Sequence, residues 1–125
     1  MSTFNTIPVP GRAMTNTEDA ISKARQEIIV NRREPQLEDT APLMASCDYK
    51  DRFIAEYWQL KIRYERLKRL NNQIEAAEAT AIRCNNAVRM PQVDCPHEML
   101  ERQQHVMGSY LHVLEVRAVI EGIEL

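Results

Sequence analysis

The sequence predicts an all-α fold, in which a short N-terminal helix is followed by a long antiparallel helical hairpin. Two observations support this prediction. The chain has 125 residues but only three glycines, and it is rich in Ala, Leu, Glu, Arg and Gln, which favour helix over strand. Its second half also repeats apolar residues at helical spacing over two long segments. At this length a single domain is the default expectation.

Residues 1–46 are predicted to form an N-terminal arm, a short helix and a linker. The arm, residues 1–14, contains two prolines, a glycine and few helix formers. Thr15 and Glu18 then have the spacing of a capping box, which predicts the start of the short helix. Residues 34–46 have two further prolines, an acidic bias and no helical periodicity. We therefore expect a linker there.

Residues 47–125 are predicted to form the helical hairpin domain. The first long helix carries an apolar seam whose members step by three and four residues. The seam consists of Phe53, Tyr57, Leu60, Tyr64, Leu67 and Ile74, with Asn71 at the remaining position. A polar residue in such a seam is typical of a register device or a water contact. The helix should end between Ala81 and Arg89, where periodicity is lost.

The last helix should begin at Pro96 and end at Gly122, which suits a left-handed C-cap. It carries two adjacent stripes at helical spacing. One contains Met99, Gln103, Val106, Tyr110, Val113, Arg117 and Ile120; the other contains Leu100, Gln104, Met107, Leu111, Leu114 and Ala118. One stripe suffices to pack on the preceding helix. The second indicates another neighbour, either the N-terminal helix or a second copy of the chain.

A narrow stripe on the first long helix also indicates association. Ile54, Trp58 and Ile62 lie four residues apart, off the seam, and on a monomeric hairpin they would be exposed. We therefore expect a homo-oligomeric helical bundle. The interface residues predicted on this basis are Ile54, Trp58, Ile62, Met107, Leu111 and Leu114. Coverage of the stripe by the N-terminal helix of the same chain is the alternative.

The sequence contains no motif that predicts catalysis, a metal site or a cofactor. The three histidines do not have the spacing of a helical metal pair, and the three cysteines do not complete a zinc pattern. Neither a dinucleotide fingerprint nor a phosphate-binding loop occurs. We therefore expect a protein without enzymatic activity that uses no cofactor.

Charge points to a compact anion as the possible ligand. Sixteen basic and eighteen acidic residues give a net charge of −2, which argues against an extended nucleic-acid partner. Five basic residues fall within Lys61–Arg69, but helical geometry spreads them around the helix, so a solvated face is the plain interpretation. In an oligomer, arginines of one subunit and an aromatic residue of another would suit a nucleotide. The candidates are Arg63, Arg66, Arg69 and Trp58, together with Arg32, Arg33 and Arg52.

Location is predicted from two features that the sequence lacks. No apolar run approaches the roughly 20 residues of a membrane-spanning helix, so we expect no membrane partner. The N-terminus does not have the form of a signal peptide, and the cysteines are odd in number at irregular spacing. These features favour a reducing cytoplasm.

The hairpin segment resembles a known group of proteins. Its last helix contains Leu100, Glu101, Gln103, Met107, Tyr110, Leu111, Leu114, Arg117 and Glu121, and the preceding helix contains DRFIAEYWQLKIRYERLKRL. Over about residues 49–125 this pattern resembles a family of small helical-hairpin proteins from phages of gut bacteria, catalogued in crAss-like phages. The resemblance implies a phage or prophage protein that acts in the host bacterial cytoplasm.

The resemblance further implies a counter-defence role exerted by binding, in one of two ways. A homo-oligomeric sponge would sequester a nucleotide immune signal, such as a cyclic nucleotide or an ADP-ribose derivative. Alternatively, an inhibitor or adaptor would bind a host defence protein, for example a CRISPR nuclease, using Ile54, Trp58 and Ile62 as its anchor. A structural or regulatory helical subunit without a ligand is the third hypothesis.

Overall fold

The computed structural model describes residues 17–26, 34–84 and 90–125. These residues form four helices and no strand, which confirms the predicted all-α fold. The described part of helix α1 is residues 17–26, α2 is Leu37–Met44, α3 is Tyr49–Cys84 and α4 is His97–Glu121. None of the helices in this part of the chain is long and apolar enough to cross a membrane.

The ends of the two long helices lie where the sequence predicts them. Helix α3 ends at Cys84, inside the expected interval. Beyond the end of α4, Gly122 has a φ of 69°, a left-handed conformation that glycine adopts without steric cost. The Ile123 N–H donates a hydrogen bond to the Ala118 carbonyl at 2.8 Å, and the Ile123 side chain is buried. This is the Schellman arrangement, which satisfies a carbonyl at the helix terminus.

The predicted linker at residues 34–46 is wrong, because Leu37–Met44 forms helix α2. The Asp39 carboxylate accepts a hydrogen bond from the Gln36 backbone N–H at 2.8 Å and so caps the first turn. Pro42 lies inside the helix, where its ring removes one backbone hydrogen bond. Eight residues with an internal proline give too little periodicity for a sequence pattern to reveal a helix.

Tertiary burial stabilises this short helix. Thr40 and Leu43 are both 0% exposed. The Thr40 hydroxyl donates to the Leu37 carbonyl at 2.7 Å and accepts from the Gln59 amide nitrogen at 3.0 Å, so the buried hydroxyl is satisfied. A helix this short is not stable alone in water. The contacts made by its buried side chains therefore account for its presence.

The chain divides into two compact units. The first contains the described residues up to Gln59 together with Ala118–Leu125, and the second contains Leu60–Arg117. The predicted boundary between an N-terminal region, residues 1–46, and a hairpin domain, residues 47–125, stays a prediction.

In the first unit, an ion pair between the half-exposed Arg25 and the buried Asp51 joins α1 to the start of α3. The Arg25 Nε donates to Asp51 Oδ1 at 2.8 Å, and the Ser46 hydroxyl donates to Asp51 Oδ2 at 2.6 Å. Asp51 is only 2% exposed. Burial alone would raise the pKa of Asp51, but the hydrogen bonds from Arg25 and Ser46 and the charges of Arg25 and Arg52 outweigh it, so the pKa lies below its ordinary value.

In the second unit, the C-terminal part of α3 and most of α4 pack as an antiparallel pair. Later residues of α3 contact earlier residues of α4: Tyr64 lies next to Gly108, and Asn71 is hydrogen-bonded to Gln104. Ile74, Ala77, Leu111 and Leu114 are buried in this unit. The predicted antiparallel packing is therefore confirmed here.

The residues predicted as an exposed interface are largely interior. Ile54 and Ile62 are 5% and 8% exposed, and Leu111 and Leu114 are 7% and 1% exposed. Trp58 and Met107 are half-buried. These side chains are covered within the single chain, so the exposed stripe that motivated the interface prediction is absent. The alternative, coverage of the stripe by the N-terminal helix of the same chain, stays a prediction.

Candidate functional site

An open groove of about 800 Å³ runs between α3 and α4 in the second unit. We call it the α3–α4 groove. Its lining residues are Tyr64, Asn71, Asn72, Glu75, Glu101, Gln104, His105, Gly108, Ser109, His112 and Val113. Most of these side chains are polar, although the groove lies directly beside the apolar seam. One aromatic ring and several convergent polar groups give the groove a stacking surface and many hydrogen-bonding groups.

Asn71, at the polar seam position, has one satisfied and one unsatisfied end. Its Nδ2 donates to the Leu100 carbonyl at 3.2 Å and to Gln104 Oε1 at 2.7 Å. Its Oδ1 is buried and has no hydrogen-bond donor among the described residues, and the residue as a whole is 4% exposed. An unpaired buried acceptor costs about 1–3 kcal/mol. The two hydrogen bonds between α3 and α4 are consistent with the predicted register role. The unpaired Oδ1 is a free acceptor for one further hydrogen bond.

The close approach of α3 and α4 at the groove depends on Gly108. A Cβ atom at this position would lie 3.3 Å from Cε1 and 3.6 Å from the hydroxyl oxygen of Tyr64. Glycine costs about 1 kcal/mol relative to alanine inside a helix. Its presence here leaves room for the Tyr64 ring, which occupies a seam position and forms one wall of the groove.

Titratable side chains surround the rest of the groove. His105 and His112 are exposed and lie on the same side of α4, as their seven-residue spacing requires. Glu75 on α3 and Glu101 on α4 contribute carboxylates. Glu101 Oε2 lies 3.9 Å from His97 Nε2, a long and partly exposed contact that contributes little to stability. The described lining includes no lysine or arginine.

A comparison with protein-family models places these residues in a family. The Sequestin model matches residues 47–120, more than half of the chain. The chain belongs to the Sequestin family. The match covers nearly the same residues as the resemblance to phage helical-hairpin proteins, whose phage source stays a prediction. No curated protein and no solved structure matches the chain.

The whole α3–α4 groove lies inside the residues that define the Sequestin match. A second pocket, of about 510 Å³ in the first unit, is lined partly by Thr17–Arg25, outside that match. Two of its four charged residues, Arg25 and Asp51, are paired with each other, and that pairing raises the pKa of Arg25 above its ordinary value. Because the second pocket lies partly outside the family match and contains this structural ion pair, the groove is the better candidate site.

The structure does not gather the predicted arginines of this Sequestin chain into the groove. Arg63, Arg66 and Arg69 are exposed on α3, and none of them lines it. Arg52 donates from Nη1 to the Ser46 carbonyl at 2.7 Å. Arg32 and Arg33 lie outside the described residues. Their role as a shared cationic pocket stays a prediction about an assembly.

Trp58, the predicted stacking residue, belongs to the first unit and packs edge-on against Tyr57, with ring centroids 5.2 Å apart. Its indole nitrogen is buried and has no acceptor among the described residues. Tyr64 is instead the aromatic residue of the groove. The sequence assigned Tyr64 only to the apolar seam. A residue that packs in the seam and a residue that forms a groove wall recur at the same three- and four-residue spacing, so the spacing does not separate the two roles.

Lys68 is the basic residue of α3 that helical geometry places nearest the groove. It lies one turn after Tyr64 and one turn before Asn72, so the three residues share one face. Lys68 is exposed. In the sequence, Lys68 is one of five basic residues in Lys61–Arg69. The position of the groove is what separates Lys68 from Arg63, Arg66 and Arg69.

The same part of the chain gives no candidate metal centre. Among residues 17–26, 34–84 and 90–125, no group of three or more His, Cys, Asp or Glu side chains is arranged to hold a metal ion. The chemistry that the groove offers is therefore hydrogen bonding, stacking on Tyr64 and charge interaction.

Proposed function

We propose that this protein sequesters a small nucleotide signal by binding it in the α3–α4 groove. The observation that carries the proposal is the unpaired Asn71 oxygen in a groove that lies wholly inside the Sequestin match. A ligand N–H or O–H that reaches this oxygen from the groove would supply the missing donor. Amino groups of nucleobases and ribose hydroxyls are donors of this kind.

Each part of a nucleotide has a matching group in the groove. The Tyr64 ring offers a face on which a base stacks. Asn72 and Gln104 offer amides that donate to and accept from a base edge. Glu75 and Glu101 accept hydrogen bonds from ribose hydroxyls, as carboxylates commonly do in nucleotide sites.

Phosphate oxygens require cationic or donor groups. His105 and His112 provide donors on α4, and Lys68 provides a positive charge on the flank of α3. Sequestration needs no turnover, so no groove residue is given a catalytic role. In a phage-infected bacterium, such a protein would lower the free concentration of a nucleotide immune signal and so counteract host defence.

Titration calorimetry with cyclic dinucleotides, cyclic trinucleotides and cyclic ADP-ribose isomers tests this function. One member of the panel should bind at micromolar or lower concentration. Asn72→Ala should weaken that binding about tenfold, because it removes one ligand hydrogen bond worth about 1.4 kcal/mol. Gln73→Ala is the matched control, since Gln73 is the neighbouring exposed amide and does not line the groove.

Two results would contradict the proposal. The first is the absence of binding by every nucleotide in the panel at micromolar concentration, which would favour the ligand-free structural subunit. The second is an equal loss of affinity in Asn72→Ala and Gln73→Ala, which would place the ligand elsewhere. The inhibitor hypothesis is not carried forward, because Ile54 and Ile62 of its predicted anchor are buried.

A further inference from the structure

The outer face of α4 is apolar and exposed along most of the second unit. We call the surface formed by Met99, Gln103, Val106, Tyr110, Val113 and Arg117 the outer stripe. Met99, Val106, Tyr110 and Val113 are 47%, 59%, 42% and 53% exposed. The structure therefore buries one of the two stripes predicted for α4 and leaves the other in water. An apolar stripe of this length usually marks an interface.

The spacing of the outer stripe favours a second copy of the same helix as its partner. From Met99 to Arg117 the stripe extends about 27 Å at 1.5 Å per residue. Its members are placed evenly about the level of Gly108: Val106 and Tyr110 are equally far from it, and so are Met99 and Arg117. In an antiparallel two-fold pair, residues equally far from the centre face each other. Val106 would then pack on Tyr110 of the other copy.

Two further features agree with self-pairing. The outer stripe contains no carboxylate, so two copies bring no acidic residues together at its centre. Each copy also has the same apolar surplus, and pairing removes both from water at once. Burial of two helix faces of this length approaches the roughly 1,000 Å² that a specific interface needs.

The outer stripe also adjoins the α3–α4 groove, because Val113 belongs to both. Arg102 is exposed and lies two turns before Ser109, a groove residue, on the same side of α4. A two-fold axis across the stripe brings like flanks of the two helices together. Arg102 of one copy, six residues before Gly108, is then level with Leu114 of the other copy. That position is beside Val113 at the mouth of the groove.

We propose that the outer stripe is a homodimer interface and that each copy supplies Arg102 to the groove of the other. The described groove lining has two carboxylates and no lysine or arginine, so on its own chain it lacks a guanidinium for a phosphate. Arg102 of the second copy provides one, in the bidentate geometry that phosphate oxygens accept. The pairing depends on the stripe alone, whereas the role of Arg102 rests on the proposed function.

Light scattering coupled to size-exclusion chromatography of the full chain tests the pairing without any ligand. The wild type at tens of micromolar should have twice the chain mass of 14.5 kDa. Val106→Glu should be monomeric with an unchanged helical circular dichroism spectrum, because it places a charge at the centre of the interface. Ile82→Glu is the matched control and should stay dimeric, since Ile82 is 84% exposed on α3 and lies off the stripe.

A wild type that stays monomeric at these concentrations overturns the pairing, and so does an assembly whose mass Val106→Glu leaves unchanged.

The role of Arg102 is tested separately with inorganic pyrophosphate as the probe. Arg102→Gln should keep the dimeric mass and weaken pyrophosphate binding about tenfold. Unchanged affinity in Arg102→Gln, or no pyrophosphate binding by the wild-type dimer, overturns the role of Arg102. If the wild type is dimeric but binds no nucleotide of the panel, the proposed function is contradicted and the dimer interface is not.

Discussion

At the scale of single residues, Asn71 has a structural role in the helix pair and is assigned a binding role by the proposed function. Its two hydrogen bonds fix the level at which α3 and α4 meet in the second unit, as a polar seam residue does in a coiled coil. A seam built for stability alone would place leucine here. The unpaired Oδ1 is therefore a cost that the folded chain carries, and ligand binding offsets it in the proposed function.

Asn71→Leu should separate the two roles. The free energy of unfolding should stay constant or rise by up to about 1 kcal/mol, because the substitution removes an unsatisfied buried acceptor and adds apolar burial. Affinity for the nucleotide found in the panel should fall at least tenfold. Urea unfolding and titration calorimetry measure the two effects. A loss of stability above about 2 kcal/mol would show that the bonds of Asn71 outweigh its unpaired oxygen.

Asp51 makes the stability of the protein depend on pH on the acid side. Its folded-state pKa is depressed, so the carboxylate form is favoured by folding. The resulting stability is fully present above the unfolded-state pKa of about 3.9 and is lost as the pH falls through the lower folded-state value. Asp51→Asn should therefore destabilise the protein by about 1–3 kcal/mol at pH 7.

The difference between the wild type and Asp51→Asn should be constant from about pH 7 to pH 5 and shrink below about pH 4. Urea unfolding at several pH values measures it. Glu56→Gln is the control, because Glu56 is exposed on the same helix. A difference that is as large at pH 3 as at pH 7 would contradict the role assigned to the charge of Asp51.

At the scale of elements, the sequence predicted the long helices well and the short one badly. The periodicity in α3 extends over many turns, so the loss of periodicity marks its end. The end of α4 was predictable from Gly122, which has the left-handed conformation of a helix C-cap. Helix α2 has two turns and an internal proline, and its stability comes from Thr40 and Leu43, whose burial no local pattern reveals.

The candidate site was predictable only in part, for a related reason. Spacing assigns Tyr64 and Asn71 to the seam, but it does not show that the helices leave a groove beside them. Nor does it show which of the two α4 stripes is covered. The sequence favoured Met107, Leu111 and Leu114 as the interface, whereas the exposed stripe is the one that contains Val106 and Tyr110. That choice depends on how α4 is rotated against α3, which periodicity leaves open.

Leu43→Ala tests whether α2 belongs to the folded core. Leu43 is 0% exposed, so its truncation should lower the free energy of unfolding by about 2–4 kcal/mol. Met44→Ala is the neighbouring control and should cost less than about 1 kcal/mol, because Met44 is 55% exposed. Chemical unfolding at pH 7 measures both. Equal, small effects in the two variants would restore the linker interpretation of residues 34–46.

At the scale of the whole molecule, a net charge of −2 is compatible with an anionic ligand only if positive charge is concentrated locally. The basic groups of Lys61–Arg69 surround α3. Lys61 and Lys68 share the helical face of Tyr64 and Asn72, and Lys68 is the one that lies between those two residues along the helix. The proposed homodimer would concentrate positive charge without altering the net charge per chain, since it would place Arg102 at the mouth of a groove on another chain. Self-association would then serve the ligand site as well as the burial of the outer stripe.

Mixing two defective variants tests this transfer of Arg102 between copies. Asn72→Ala impairs the groove of its own chain, whereas Arg102→Gln impairs the groove of its partner. In a mixed dimer, the Arg102→Gln chain keeps an intact Asn72 and receives Arg102 from the Asn72→Ala chain, so one of the two grooves is complete.

After subunit exchange of an equimolar mixture, half of the dimers are mixed, and about a quarter of the grooves should bind the nucleotide with wild-type affinity. Each variant alone should bind about tenfold more weakly throughout. Calorimetry of the mixture measures the fraction of tight sites, and a mixture without tight sites would mean that Arg102 acts on its own chain or not at all.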